Sequence, residues 1–375
     1  MIYFDHAAAM PVLPEVKDNY PDLLEKYSGN PEAAHRLGHE LNKELAALGD
    51  RLFDTLLPQA KIERKACFFG CDTAELLNVV SYTFGDKNLC CAASALEHIS
   101  LQTILKRSFG SVVHLPLNEY GKITGLPAEI ASARFIAVTH VQSEIGVMQD
   151  LPQLLKTLRS TAPQAVILLD MVQSGMFYDF PSNAVLPDLI VISGAKMGSG
   201  SGAALLAINS AAKQLKDKFH ELRKKEYLIG KTDIVQAAAL TLAVQINAVR
   251  KAGNLEKIRS VNSFLRGKLE GMLLPNGQQC RLTVPTESAA ANILHFTLPG
   301  YQAGVLVRMF SAGNIMLSSG SACQSESDQP SMILQALKYS RIDSYSGIRL
   351  SFSGSSTIAE AEEFLQKLTE ILKNY

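Results

Sequence analysis

The chain has 375 residues, 47% hydrophobic and 19% charged, enough to bury a sizeable core in more than one folding unit. Lysine plus arginine and aspartate plus glutamate number 36 each, so nothing in the balance asks for nucleic acid or an anionic membrane surface as partner. The opening Met1-Ile2-Tyr3-Phe4-Asp5-His6 lacks the basic flank and apolar core of a secretory signal, and no apolar run reaches the roughly 18 residues of a membrane span, so a soluble, cytoplasmic protein is expected.

The first dozen residues read as an irregular arm. Short apolar runs then predict strands at Ala66–Phe69, Leu89–Ala93, Val112–Leu115, Phe135–Thr139, Val166–Asp170, Leu189–Ser193 and Ala203–Ile208. Amphipathic segments at Thr73–Thr83, Glu97–Arg107 and Leu151–Ser160 alternate with them, which predicts an α/β fold with a mostly parallel sheet covered by helices. In such a sheet ligands gather at the carboxyl ends of the strands. A helix over Leu255–Leu274, strands near Ala291–Phe296 and Ile348–Phe352, and a closing helix from Thr357 read as a smaller α+β unit. The expected division is an arm at 1–15, a large α/β domain at 16–254 and a small domain at 255–375.

The six cysteines form no disulfide framework. Cys67, Cys71, Cys90 and Cys91 lie in or beside strand-like runs, without a second Cys or His pair at ligand spacing. They read as small buried hydrophobes, and no metal site is expected. Cys323 differs. It lies in Ser318-Ser319-Gly320-Ser321-Ala322-Cys323-Gln324-Ser325, a small, polar setting that suits a nucleophile that must travel.

Asp72-Thr73-Ala74-Glu75 opens a helix directly after a strand. Asp72 and Glu75 have capping-box spacing, and such a helix start, with the Thr73 hydroxyl, also makes an anion site. His98, at a strand-to-helix switch, is placed to stack on a flat cofactor and move protons, or to serve structure alone. Asp170 closes a buried strand, where its charge needs a partner: a protonated pyridinium nitrogen, a backbone cap, or a basic side chain. Gln173 lies one turn on. Lys196 follows an apolar strand and precedes Met197-Gly198-Ser199-Gly200-Ser201-Gly202, glycines that let a backbone approach a ligand. Walker spacing is absent, which rules against a phosphate loop for ATP. Arg349 shares a strand face with Gly347 and Ser351, where it would clamp a substrate carboxylate or form a surface salt bridge.

Taken in order, these segments resemble the cysteine desulfurases of the NifS/IscS type, within the fold type I pyridoxal phosphate enzymes. Tyr3-Phe4-Asp5-His6-Ala7-Ala8-Ala9, Gly29-Asn30-Pro31 with His35-Arg36, Glu97-His98, His140-Val141-Gln142-Ser143-Glu144-Ile145-Gly146-Val147, Asp170 with Gln173-Ser174, Ser193-Gly194 with Lys196, Ser318–Cys323 and Gly347–Ser351 follow the family series nearly end to end. The resemblance implies a homodimeric pyridoxal 5'-phosphate enzyme that converts L-cysteine to L-alanine. Lys196 would hold the cofactor through its amine and move the α-proton. His98 would stack on the ring, Asp170 would keep the ring nitrogen protonated, and Gln173 and Ser143 would lie near the phenolic oxygen. Thr73 and Ser193 would hold the phosphate, joined by Thr232 from the other subunit. Arg349 would bind the substrate carboxylate, and Cys323 would take the sulfur as a persulfide for an acceptor protein in iron–sulfur or thiolation chemistry.

The chain departs from the family at Ala195, where histidine is usual, and at Ser143, where a catalytic asparagine is usual. It also departs at Cys71-Asp72-Thr73 and over Lys224–Lys231. Each lost charge-assisted hydrogen bond costs about 1.5–3 kcal/mol of cofactor affinity. Two other readings follow from these departures: a lyase or aminotransferase acting on another small amino acid, and a catalytically faded homologue that serves as a binding scaffold.

Overall fold

A computed structural model describes residues 1–226, 228–320 and 329–375. Its strands are β1 (Ile2–Tyr3), β2 (Lys65–Gly70), β3 (Cys90–Ser94), β4 (Ser111–Leu115), β5 (Phe135–Thr139), β6 (Val166–Asp170), β7 (Leu189–Ser193), β8 (Ala203–Ile208), β9 (Arg281–Leu282), β10 (Ile293–Thr297), β11 (Ile315–Met316) and β12 (Gly347–Ser351). The main sheet has seven strands in the order β2-β8-β7-β6-β5-β3-β4. β8 alone runs opposite to the other six strands. The expected α/β class with a mostly parallel sheet is observed.

Side-chain alternation explains why these runs fold as covered strands. Ile136, Val138, Ile167, Leu169, Ile190 and Ile192 enter the apolar cluster on one face. Phe135, Ala137, Leu168, Leu189 and Val191 enter the cluster on the other. Burying each large aliphatic side chain contributes about 1.5–3 kcal/mol, so a strand apolar on both faces is stable only between two helical layers.

A second, three-stranded antiparallel sheet has the order β12-β10-β9. It puts Arg349 opposite His295 in register. The arm is more ordered than its sequence suggests. β1 pairs in parallel with β11, Phe4 donates its N–H to Met316 O, and Asp5 bridges to Ser351.

The helix expected over Leu255–Leu274 is the second part of a continuous helix, Ile234–Leu269, which starts earlier and stops short of the expected end; Asp233 is its N-cap, accepting from the N–H groups of Val235 and Gln236. Near its C-terminal end, the Asn262 amide donates to the carbonyls of Ala291 and Ile293, and Arg266 donates to Val284 O. We propose that the division at residue 254 falls within this helix, which contacts β8 of the large sheet and β9 and β10 of the small one. The closing helix, Ile358–Lys373, begins with a complete capping box between Thr357 and Glu360. No helix among the described residues is long and apolar enough to cross a membrane.

Candidate active site

A cleft opens at the carboxyl ends of β2, β3, β5, β6 and β7, where this sheet topology places ligands. Eight residues expected in the site line it: Thr73, His98, Ser143, Asp170, Gln173, Ser193, Lys196 and Arg349. Thr232 does not line it within one chain. It is buried elsewhere and accepts from Arg223 Nη2 at 2.9 Å. Cys323 lies outside the described residues.

Lys196 sits on a short helix, Gly194–Met197, immediately after β7, and its Nζ donates to the Ala8 carbonyl of the arm. A side chain at Gly194 would strike Ser201 O at 2.0 Å, so only glycine allows the chain to turn here and present the lysine. The glycines at 198, 200 and 202 have a different use from the expected close approach to a ligand. All three have positive φ, of 80°, 89° and 84°, and none lines the cleft. They reverse the chain from β7 into antiparallel β8.

Asp170 ends β6 and is buried, and one carboxylate oxygen accepts from the Val172 N–H at 2.8 Å. No ion pair reaches it among the described residues, and burial pushes its pKa up to about 6. Its folded pKa lies above its unfolded one, so the ionised form is penalised. Stability is lost as pH rises from about 4 through 6. Asp170→Asn is therefore expected to stabilise the cofactor-stripped protein by on the order of 2 kcal/mol at pH 8 and to change nothing near pH 4. Urea unfolding at the two pH values measures this, and an equal gain at both would contradict it.

His98 caps the helix Ile99–Ser108, a role the sequence does not signal. Its Nδ1 accepts from the Ser100 N–H and lies 2.7 Å from Ser100 Oγ. With Nδ1 accepting, the neutral ring carries its proton on Nε2. Burial, and then the Lys196 charge, hold its pKa below the usual histidine value.

At the other end of the cleft Asp72 caps Thr73–Phe84 by accepting from Glu75 N–H at 2.8 Å, while Glu75 accepts from Cys71 N–H at 2.7 Å. The expected box forms, shifted by one residue on its return bond. Cys71 is exposed, contrary to the expected burial, because the strand has ended and the helix cap turns outward; Glu75 pushes its thiol up to about 11. Cys91 is buried, and burial pushes its thiol up to about 12. No group of three or more His, Cys, Asp or Glu among the described residues is arranged to hold a metal.

Arg349 is 1% exposed. It is held from inside: Nη2 donates to Asp5 Oδ1 at 2.7 Å and Nη1 to Ser143 O at 2.8 Å, with Nε buried and without a hydrogen-bond partner among the described residues. The polar face of β12 thus fastens the arm, Ser351 Oγ also accepting from the Ala7 N–H at 2.8 Å. Gln173 likewise donates to Ala7 O at 2.9 Å. The local sequence pattern does not reveal that Asp5 and the arm backbone hold these side chains, because their partners lie far along the chain.

The class-V aminotransferase family model matches residues 2–364. The chain belongs to the aminotransferase class-V family. Among relatives, a NifS/IcsS protein homolog of Lactobacillus delbrueckii subsp. bulgaricus is 24% identical over 398 residues, covering 100% of this chain and 98% of its own. A cysteine desulfurase of Rhodobacter capsulatus is 25% identical over 381 residues, covering 99% and 96%. A solved NifS-like protein superposes with a TM-score of 0.81 at 18% identity, covering 100% of both chains, which supports the fold.

Pyridoxal phosphate is the cofactor of this class-V family, and the site fits it. A buried carboxylate at a strand tip, with no ion pair among the described residues, matches a pyridinium nitrogen. A lysine amine stands in the same cleft, and hydroxyls at Thr73 and Ser193 lie beside a helix start that matches a phosphate. The acidic pair Asp72 and Glu75 also stands at that helix start.

Proposed function

We propose that the protein is a pyridoxal phosphate-dependent cysteine desulfurase that moves the sulfur of L-cysteine onto Cys323 and releases L-alanine. The observation that carries this reading is the meeting of the Lys196 amine, the buried Asp170 carboxylate and the Arg349 guanidinium in one cleft. The full-length likeness to relatives named cysteine desulfurase supports it.

When bound, the cofactor supplies an electron sink for negative charge at the substrate α-carbon. Lys196 would hold it covalently and would take and return the α-proton. Asp170 would keep the ring nitrogen protonated, and that proton would relieve the cost of its buried charge. Thr73 and Ser193 would hold the phosphate, joined by Thr232 from the second subunit of a homodimer. Gln173 and Ser143 would serve the phenolic oxygen, and His98 would serve the ring, with its Nε2–H available as proton donor. Arg349 draws the substrate carboxylate, which competes there with Asp5. The Cys323 thiolate attacks the substrate sulfur and the carbon–sulfur bond breaks. Its electrons and a proton complete alanine, leaving Cys323 with an S–SH group. An acceptor protein in iron–sulfur or thiolation chemistry, in the cytoplasm, would take that sulfur.

One observation favours a second reading, a lyase or aminotransferase acting on another small amino acid. Ser143 engages Arg349 through its backbone oxygen and brings no side-chain amide, and Ala195 brings no imidazole. Incubation of the cofactor-loaded protein with L-cysteine, with alanine measured and Cys323 mapped by mass spectrometry, separates the readings. Alanine with a persulfide at Cys323 is expected, and Cys323→Ser should abolish the persulfide while leaving the yellow colour. Turnover of another amino acid that survives Cys323→Ser would favour the lyase or aminotransferase. A protein that takes up no cofactor would be a scaffold.

A further inference from the structure

Glu97 is 2% exposed and has no ion-pair partner among the described residues. It lies directly behind the cleft wall. Ser94 Oγ donates to Oε1 at 2.7 Å, and Thr139 Oγ1 donates to Oε2 at 2.5 Å. Ser94 Oγ in turn accepts from the Leu96 N–H at 3.1 Å, and the Gln102 amide donates to the carbonyls of Ala95 and Glu97 at 2.9 and 2.8 Å. Thr139 lines the cleft and stands opposite Asp170 in the β5–β6 register. One carboxyl therefore joins the end of β3, the turn that carries His98, and the tip of β5.

A buried carboxyl is an expensive way to fill this space. Burial and the nearby Asp170 raise its pKa to about 7, partly offset by the two hydroxyls. Leucine would fill the same volume without that cost, so retention of an acid behind a cleft points to a task at the cleft.

We propose that Glu97 is a positioning residue for His98. It pins the turn at 94–98 to β5 through Thr139, fixing the height at which the His98 ring faces the cleft, and it directs the Thr139 proton away from the cleft. The inference rests on reading this cleft as the reacting site.

The test compares Glu97→Gln, which keeps a contact to each hydroxyl, with Glu97→Leu, which keeps only the volume, and adds Thr139→Val. In the cofactor-stripped full chain, the rate at which diethyl pyrocarbonate modifies His98 is followed by peptide mass spectrometry. Loaded protein gives the absorption band of bound pyridoxal phosphate and the split between kcat and KM. Glu97→Leu is expected to change the His98 modification rate and kcat by about tenfold each, the worth of one well-formed buried hydrogen bond, with KM little moved. Glu97→Gln should stay near wild type. Thr139→Val should move the same readouts in the same direction, and the double variant should be no worse than Glu97→Leu alone. Thr139→Val carries the test if Glu97→Leu does not fold. Unchanged His98 reactivity in folded variants, with only the melting temperature lowered, would overturn the proposal. Failure of the wild type to take up pyridoxal phosphate would instead count against the cofactor reading, because His98 reactivity is read without it.

Discussion

Lys196→Ala is expected to lose the covalent hold on the cofactor and to slow alanine release from L-cysteine by roughly 10²–10⁴-fold, the range that a positioned proton-transfer group supplies. The fold should survive. Besides the Lys196 bond to Ala8 O, the arm is held by Met10 N–H to Ala195 O and Leu13 N–H to Gly198 O, both 2.9 Å and both independent of the lysine side chain. The effect on melting should therefore be small while the effect on turnover is large. Absorbance after reconstitution, an alanine assay and thermal melting together measure this. Near-wild-type turnover in the variant would remove Lys196 from the chemistry.

Arg349→Ala has the second largest expected effect, on two quantities at once. The guanidinium is buried against Asp5, and removing one member of such a pair leaves the other charge unmatched, at a cost of about 3–5 kcal/mol. The substrate carboxylate loses a charge-assisted contact worth about 1.5–3 kcal/mol, so KM should rise on the order of tenfold to a hundredfold. Asp5→Asn separates the two effects. It too should destabilise the chain, but it leaves the Arg349 charge uncompensated beside the cleft, so KM for L-cysteine should fall. Urea unfolding and steady-state kinetics on both variants measure the outcome. A rise of KM in Asp5→Asn would mean that Asp5 orients the guanidinium for substrate instead of competing with it.

The strands that build the site were legible because their signal is local. β5, β6, β7 and β8 match the expected ranges end to end, each an apolar run alternating between two buried clusters. At β2 and β3 the ends shift by one residue, since Lys65, Gly70 and Ser94 pair in the sheet without looking apolar. The first half of helix Ile234–Leu269 carries no helical signal in the sequence, for a physical reason. Ala237, Ala238, Ala239, Leu240, Thr241, Ala243 and Val244 are all buried, so this stretch carries no one-sided apolar stripe. Within the site, Lys196, Asp170 and His98 were legible from their places at strand tips. The pairing of Asp5 with Arg349, separated by 344 positions, leaves no local trace. Glu97 stood in plain view beside His98, but its burial depends on Thr139 arriving from another strand.

The most direct measurement is reduction of pyridoxal phosphate-loaded protein with borohydride, followed by peptide mapping. A reduced phosphopyridoxyl group on the peptide bearing Lys196, with loss of the yellow absorption, is the predicted result. Colourless protein, or a label found only on other lysines, would contradict the account.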